Sequence, residues 1–78
     1  MQIENIGSHQ TEVQTDKARI LFSYKTPVAA WISGKGYVRT DQFWSVTTSK
    51  HINTWLRDNG CNPDQVQKIS QSELDNLI

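Results

Sequence analysis

At 78 residues, with a formal net charge of zero and 36% apolar residues, the chain has room for one domain, residues 1–78, with a modest core. Its one cysteine, Cys61, excludes an internal disulfide, and a secreted domain this small usually needs such staples, so the composition reads as intracellular. The longest apolar runs, such as "VAAWI", are far too short to span a membrane, and the start "MQIENIGSHQ" lacks the basic and apolar regions of a signal peptide.

Residues 1–17 are polar, with scattered Ile3, Ile6 and Val13, and read as a frayed start or an edge strand around Thr11 to Thr15. In "ARILFSY", Ala18, Ile20, Phe22 and Tyr24 alternate with Arg19, Leu21, Ser23 and Lys25, which is strand periodicity. Pro27 has no N–H and interrupts the pattern at an edge, bulge or turn. "VAAWIS" resumes as a strand, "GKG" at Gly34 to Gly36 makes a hairpin loop, and "YVRT" returns. Farther on, Ile52, Trp55 and Leu56 stand at i, i+3 and i+4 and share a helix face. Thr47, Thr48 and Ser49 are all suitable N-caps, and Gly60 sits where a left-handed C-cap is wanted, so a helix is predicted from about Ser49 to Asn59. "DQVQKIS" reads as a short strand. Ser70 and Glu73 have capping-box spacing before a last helical turn that carries Leu74 and Leu77.

The zero net charge hides a pattern. Between Lys17 and Arg57 stand seven basic residues against one acid, Asp41, a balance of +6, while residues 1–16 and 58–78 carry −3 each. All seven aromatic residues lie in the basic segment.

The stretch "SVTTSKHINTWL", Ser45 to Leu56, gathers the residue types of a nucleophilic site and also those that begin a helix. A serine nucleophile needs a base in hydrogen-bond reach and that base an orienting acid. Neighbours along one helix do not face each other, and neither Asp41 nor Asp58 is aimed at His51, so the helix-cap reading is preferred and no catalytic residue is assigned. Thr47, Thr48 and Ser49 are anion-site candidates, because hydroxyls and unpaired N–H groups at a helix start attract anions. His51 and Cys61 lie about 15 Å apart along one helix and cannot form a dyad. His9, His51 and Cys61 lack metal-ligand spacing, and no metal or cofactor is expected. "GKG" lacks the remainder of a phosphate-loop motif. Aromatics interleaved with cations are also what a single-strand nucleic-acid surface uses. The partner-binding candidates are Trp31, Lys35, Tyr37, Arg39, Trp44, Lys50 and His51.

The blocks "FSYKTPVA" (Phe22 to Ala29) and "FWSVTTSKHINTWL" (Phe43 to Leu56), with the closing "QSELDNLI", carry a resemblance. Ser23, Tyr24, Thr26, Pro27, Val28 and Ala29 fit S-Y-x-T-P-V-A. Ser45, Thr47, Thr48, Ser49, Lys50, His51 and Ile52 fit S-x-T-T-S-K-H-I. Glu73, Leu74 and Asp75 fit a closing E-L-D. The pattern resembles a group of short uncharacterised proteins encoded mostly by tailed bacteriophages, over roughly Ile20 to the C-terminus. The resemblance implies a phage gene acting in a bacterial cytoplasm, and leaves open whether the T-T-S-K-H block is a shared site or only a cap.

The expected fold is a small α+β domain: a three-stranded antiparallel meander crossed by one main helix, followed by a short strand and a helical turn. The expected core is Ile20, Phe22, Val28, Ala30, Ile52, Trp55, Leu56, Val66, Ile69, Leu74 and Leu77. Two functions fit. One is a non-enzymatic accessory protein that binds and blocks a host protein, for example a defence effector. The other is a nucleic-acid-binding module built on residues 17–57. A protein partner is preferred because the acidic ends would repel a phosphate backbone.

Overall fold

The computed structural model describes residues 2–7 and 9–77. Five strands, β1 (Gln2–Gly7), β2 (Gln10–Gln14), β3 (Ala18–Ser23), β4 (Thr26–Ile32) and β5 (Gly36–Thr40), form an antiparallel meander. The helix α1 (Val46–Asp58) and a 3-10 turn at Pro63–Gln65 then carry the chain to β6 (Gln67–Ile69), which pairs parallel to β5. A short helix, α2 (Gln71–Asp75), ends the fold. The fold is α+β, with a main helix and a short C-terminal strand and helix on a mostly antiparallel sheet. Among the described residues that sheet has six strands, and its antiparallel meander has five where three were expected beside the short C-terminal strand.

The two further strands lie at the N-terminal end, where an edge strand around Thr11 to Thr15 was one reading. Residues 2–14 form a full hairpin, with β1 at the sheet edge and β2 paired on both sides. Its polarity concealed it. Glu12 occupies an inward position of β2 and is 9% exposed. The carboxylate is held there because Oε1 accepts from Trp55 Nε1 at 2.9 Å and Oε2 from Gln14 Nε2 at 2.8 Å. A buried carboxylate is tolerated only with such partners.

Both faces of the sheet are covered. On one face Ala18, Ile20, Ala30, Val38 and Ile69 pack with Leu74 of α2, flanked by Phe22, Ile32 and Leu77. On the other, Leu21, Val28 and Ala29 pack with Ile52, Trp55 and Leu56 of α1, flanked by Tyr37, Cys61 and Val66. Every expected core residue lies in one of these clusters. Full burial of each large aliphatic side chain contributes about 1.5–3 kcal/mol. Strict alternation would put Val28 and Ala29 on opposite faces. A bulge between the pairs Leu21–Ala29 and Phe22–Pro27 places both under α1.

The main helix begins earlier than expected. Ser45, extended at φ −167°, is the N-cap, and its Oγ accepts from Thr48 N–H at 3.0 Å. The β-branched run Val46–Thr47–Thr48 has low helix propensity, which is why its sequence suggests a later start. The C-terminus closes on Gly60 at φ 82°. Gly60 N–H donates to Arg57 O and Cys61 N–H to Leu56 O, both at 2.9 Å, a Schellman motif. Ser70 caps α2 as its spacing predicts, with Oγ accepting from Glu73 N–H at 3.3 Å. Among the described residues no helix is long and apolar enough to cross a membrane.

Candidate functional site

β3 ends at Ser23, and a two-residue turn, Tyr24–Lys25, leads into β4. The first loop position of such a turn takes positive φ and favours glycine. Here it holds Tyr24 at φ 59°. His9, in the turn between β1 and β2, has φ 58°. The two turns are joined: Tyr24 N–H donates to His9 O at 2.7 Å, and the rings stack at 4.7 Å and 14°. Left-handed backbone in non-glycine residues costs about 1–2 kcal/mol each, so two at one spot need support from their surroundings. The bond between the turns and the stacked rings supply it. The outcome is a tyrosine ring fixed in place while still 51% exposed.

α1 meets this corner through His51 and Thr48. Ser23 Oγ lies 2.8 Å from His51 Nδ1 and 3.0 Å from Thr48 Oγ1. The Tyr24 and His51 rings are 6.1 Å apart. Ser23 is 2% exposed and Thr48 5%. Burial pushes the His51 imidazole below the usual histidine value, and repulsion from His9 adds to the shift. The shift favours the neutral ring, which is fastened to β3 by a serine that sequence spacing could not have indicated.

Between the β3–β4 turn and the start of α1 lies an open cleft of about 450 Å³. Tyr24 and Trp44 are its aromatic walls, and Thr26, Ser45 and Thr47 contribute hydroxyls. Trp44 is positioned from the other side of the sheet. Its Nε1 donates to Gln71 Oε1 at 3.1 Å, and the same oxygen accepts from Thr40 Oγ1 at 2.8 Å. Gln71 Nε2 in turn donates to Pro27 O at 2.7 Å and Asp75 Oδ1 at 3.1 Å. The three sequence blocks, though far apart in the chain, converge on this end of the molecule.

Not all candidate residues gather here. Lys50 is exposed on the outer face of α1, and Trp44 is on the cleft wall. Lys35 lies at the other end of β4, in the hairpin loop, 3.8 Å from Glu73. Arg39 is half-buried under α1, with Nη1 donating to Asn53 Oδ1 at 3.1 Å and Pro63 O at 3.2 Å. Trp31 and Tyr37 are half-buried cross-strand neighbours near the C-terminal end of α1. Arg19 Nη2 donates to Tyr37 Oη at 2.6 Å, and its guanidinium lies 6.0 Å from each of those two ring centres. Tyr37 also packs edge-on against Trp55 at 5.7 Å.

The expected anion site at the helix start is also reordered. Thr48 spends its N–H on Ser45 and its hydroxyl on Ser23, so it is a structural tie. Thr47 is exposed toward the cleft, and Ser49 faces a second, smaller pocket. Ser23, Tyr24, Thr26 and Ser45 were in the quoted blocks without a role. The sequence did hold one signal for His51. Thr48, His51, Ile52 and Trp55 fall at i, i+3, i+4 and i+7, which places the histidine on the inward stripe.

No curated protein and no solved structure matches the chain. A family model does, over residues 1–76, and so takes in the N-terminal hairpin that the motif resemblance left out. The chain belongs to the family of unknown function DUF8033.

Proposed function

We propose that the chain is a non-enzymatic binding protein that docks on another protein through the end of the sheet where the β3–β4 turn meets the start of α1. The carrying observation is exposed apolar surface. Tyr24, 51% exposed, and Trp44, 43%, line the cleft, and Phe43, 71%, and Val46, 66%, flank Trp44 and Ser45 in the chain. Clustered exposed apolar side chains mark interaction sites, and Trp and Tyr are the residues that dominate such contacts. The fixed backbone of Tyr24 and the hydrogen-bonded indole of Trp44 lower the ordering cost of binding.

Charge layout favours a protein partner over nucleic acid. The +6 segment is dispersed over the fold: Arg19 is engaged with Tyr37, Lys35 is at the far end of β4, Lys25 follows Tyr24 in the turn, and Arg39 lines the separate small pocket beside Phe43 and Trp44. The buried hydroxyl of Ser23 supports a structural role for the Ser23–His51 pair. The bacteriophage-like motif blocks extend the proposal to an accessory protein that acts in the bacterial cytoplasm by blocking a host protein.

The test is capture of partners from bacterial lysate, with and without nuclease, by the wild type and by a Phe43→Ser/Val46→Ser double variant. Both side chains are exposed, so the variant should fold. A protein captured by the wild type after nuclease treatment and lost with the variant supports the reading. Capture that nuclease abolishes, or that the variant leaves unchanged, overturns it.

A further inference from the structure

Arg39 and Lys68 are direct partners in the parallel β5–β6 ladder, so their side chains leave the same face of the sheet. Like charges directly opposed across strands are destabilising. Among the described residues neither cation forms an ion pair with a carboxylate. Arg39 is held by two neutral acceptors, Asn53 Oδ1 and Pro63 O, both on Nη1. These orient the guanidinium without compensating its charge. Its Nε is buried and has no hydrogen-bond partner among the described residues. An orphaned buried donor is costly and calls for an acceptor. The guanidinium therefore brings an uncompensated charge to the pocket that it lines.

Arg39 and Lys68 both line one pocket. It measures about 150 Å³ and is lined by Arg39, Lys68 and Ser49, with Asp41, Phe43 and Trp44 also on the wall. Pockets for drug-sized ligands begin near ~300 Å³, so this one suits a group of a few heavy atoms. We propose that the pocket binds a phosphate-class oxyanion, free or as a monoester. Arg39 and Lys68 supply the charge and Ser49 a hydroxyl donor. The anion relieves the repulsion between the two cations. Asp41 opposes it and sets a limit on affinity. The inference stands apart from the docking reading and needs no partner protein.

The experiment is calorimetric titration of the full chain at low salt with inorganic phosphate and with phenyl phosphate. Saturable 1:1 binding is expected. Lys68→Gln should weaken it at least about fivefold, the loss of one charge-assisted hydrogen bond. Arg39→Lys should weaken it through loss of the guanidinium that Asn53 and Pro63 orient, and Asp41→Asn should tighten it. Lys35→Gln, at the far end of β4, should change nothing. Lys68 and Asp41 are exposed, so those variants report on binding without loss of fold. Tighter binding of phenyl phosphate identifies a monoester whose ring meets Phe43 and Trp44, and equal binding identifies the free ion. Absence of saturable binding by both probes, or binding that Lys68→Gln and Asp41→Asn leave unchanged, overturns the proposal.

Discussion

Ser23 Oγ and His51 Nδ1 are 2.8 Å apart, although 28 positions separate the residues in the chain. With Thr48 Oγ1 at 3.0 Å on the other side of Ser23, the polarity of this short hydrogen-bond chain follows the charge on the imidazole. A neutral ring with its proton on Nε2 accepts at Nδ1 from Ser23, which accepts from Thr48. A protonated ring donates to Ser23, which turns its own proton toward Thr48. Ser23→Ala removes the common member and strands a buried hydroxyl and a half-buried imidazole. Urea unfolding should show a loss of about 1–3 kcal/mol. A loss within the error of the wild-type value would mean that water replaces the serine and that the tie is dispensable.

Stability should also depend on acid through His51. Its pKa is lowered in the fold by burial and then by His9. In the unfolded chain it titrates near the ordinary value of about 6.5. Between the lowered folded value and 6.5 the unfolded state binds more protons, so stability rises with pH there. The contribution is complete above about pH 6.5 and is lost as pH falls through the folded value. Thermal melts from pH 7.5 down to pH 5 should show a decline that His51→Gln reduces. Identical pH profiles for the two proteins would contradict the assignment.

The backbone at Tyr24 allows its strain to be separated from its ring. Tyr24→Gly and Tyr24→Ala both delete the ring and its stack on His9, but only glycine accepts φ 59° without cost. The glycine variant should be more stable than the alanine variant by about 1–2 kcal/mol. For a domain of this size that corresponds to a Tm difference of several degrees, since 1 kcal/mol moves Tm by roughly 4–8 °C. Both should bind the proposed partner poorly. Equal melting temperatures would show that the turn relaxes away from positive φ when the ring is gone.

The start of α1 gives a paired comparison. Ser45→Ala deletes the hydroxyl that accepts Thr48 N–H and should cost about 1 kcal/mol in denaturant unfolding. Ser49→Ala lies inside the helix, where alanine is the better helix former, and should be neutral or slightly stabilising. The reverse order would place the cap at Ser49 and the helix start one turn later.

The hairpin at Gly34, the apolar stripe of α1, its Gly60 terminus and the Ser70 cap were all legible, because each is a local signal. What could not be read locally is what the strands face. "ARILFS" has apolar residues in both phases, Ala18, Ile20 and Phe22 in one and Leu21 in the other, and "VAA" is apolar throughout. Such strands are buried on both faces, and this was the available hint that helices flank the sheet on either side. A strand around Thr11 to Thr15 was legible, but not its inner place in the sheet or its partner β1, because Glu12 breaks the pattern and the distant Trp55 explains the break. The corner at Ser23 was illegible for a related reason. Its partners lie on a helix whose position over the sheet no local spacing specifies.

The bulge at Val28 sets a phase as well as a packing. Thr26 pairs with Ser23, and both serve the side of the sheet that bears α1. Counting back from Ala29 in strict alternation, Thr26 would point to the α2 side. The one extra residue restores the match between the two arms of the hairpin at its turn. Chain length between Thr26 and Ala29 therefore behaves like a reading frame. Most surface connections tolerate the gain or loss of a residue. Here deletion of Pro27 would turn the threonine away from the cleft without removing any residue that lines it.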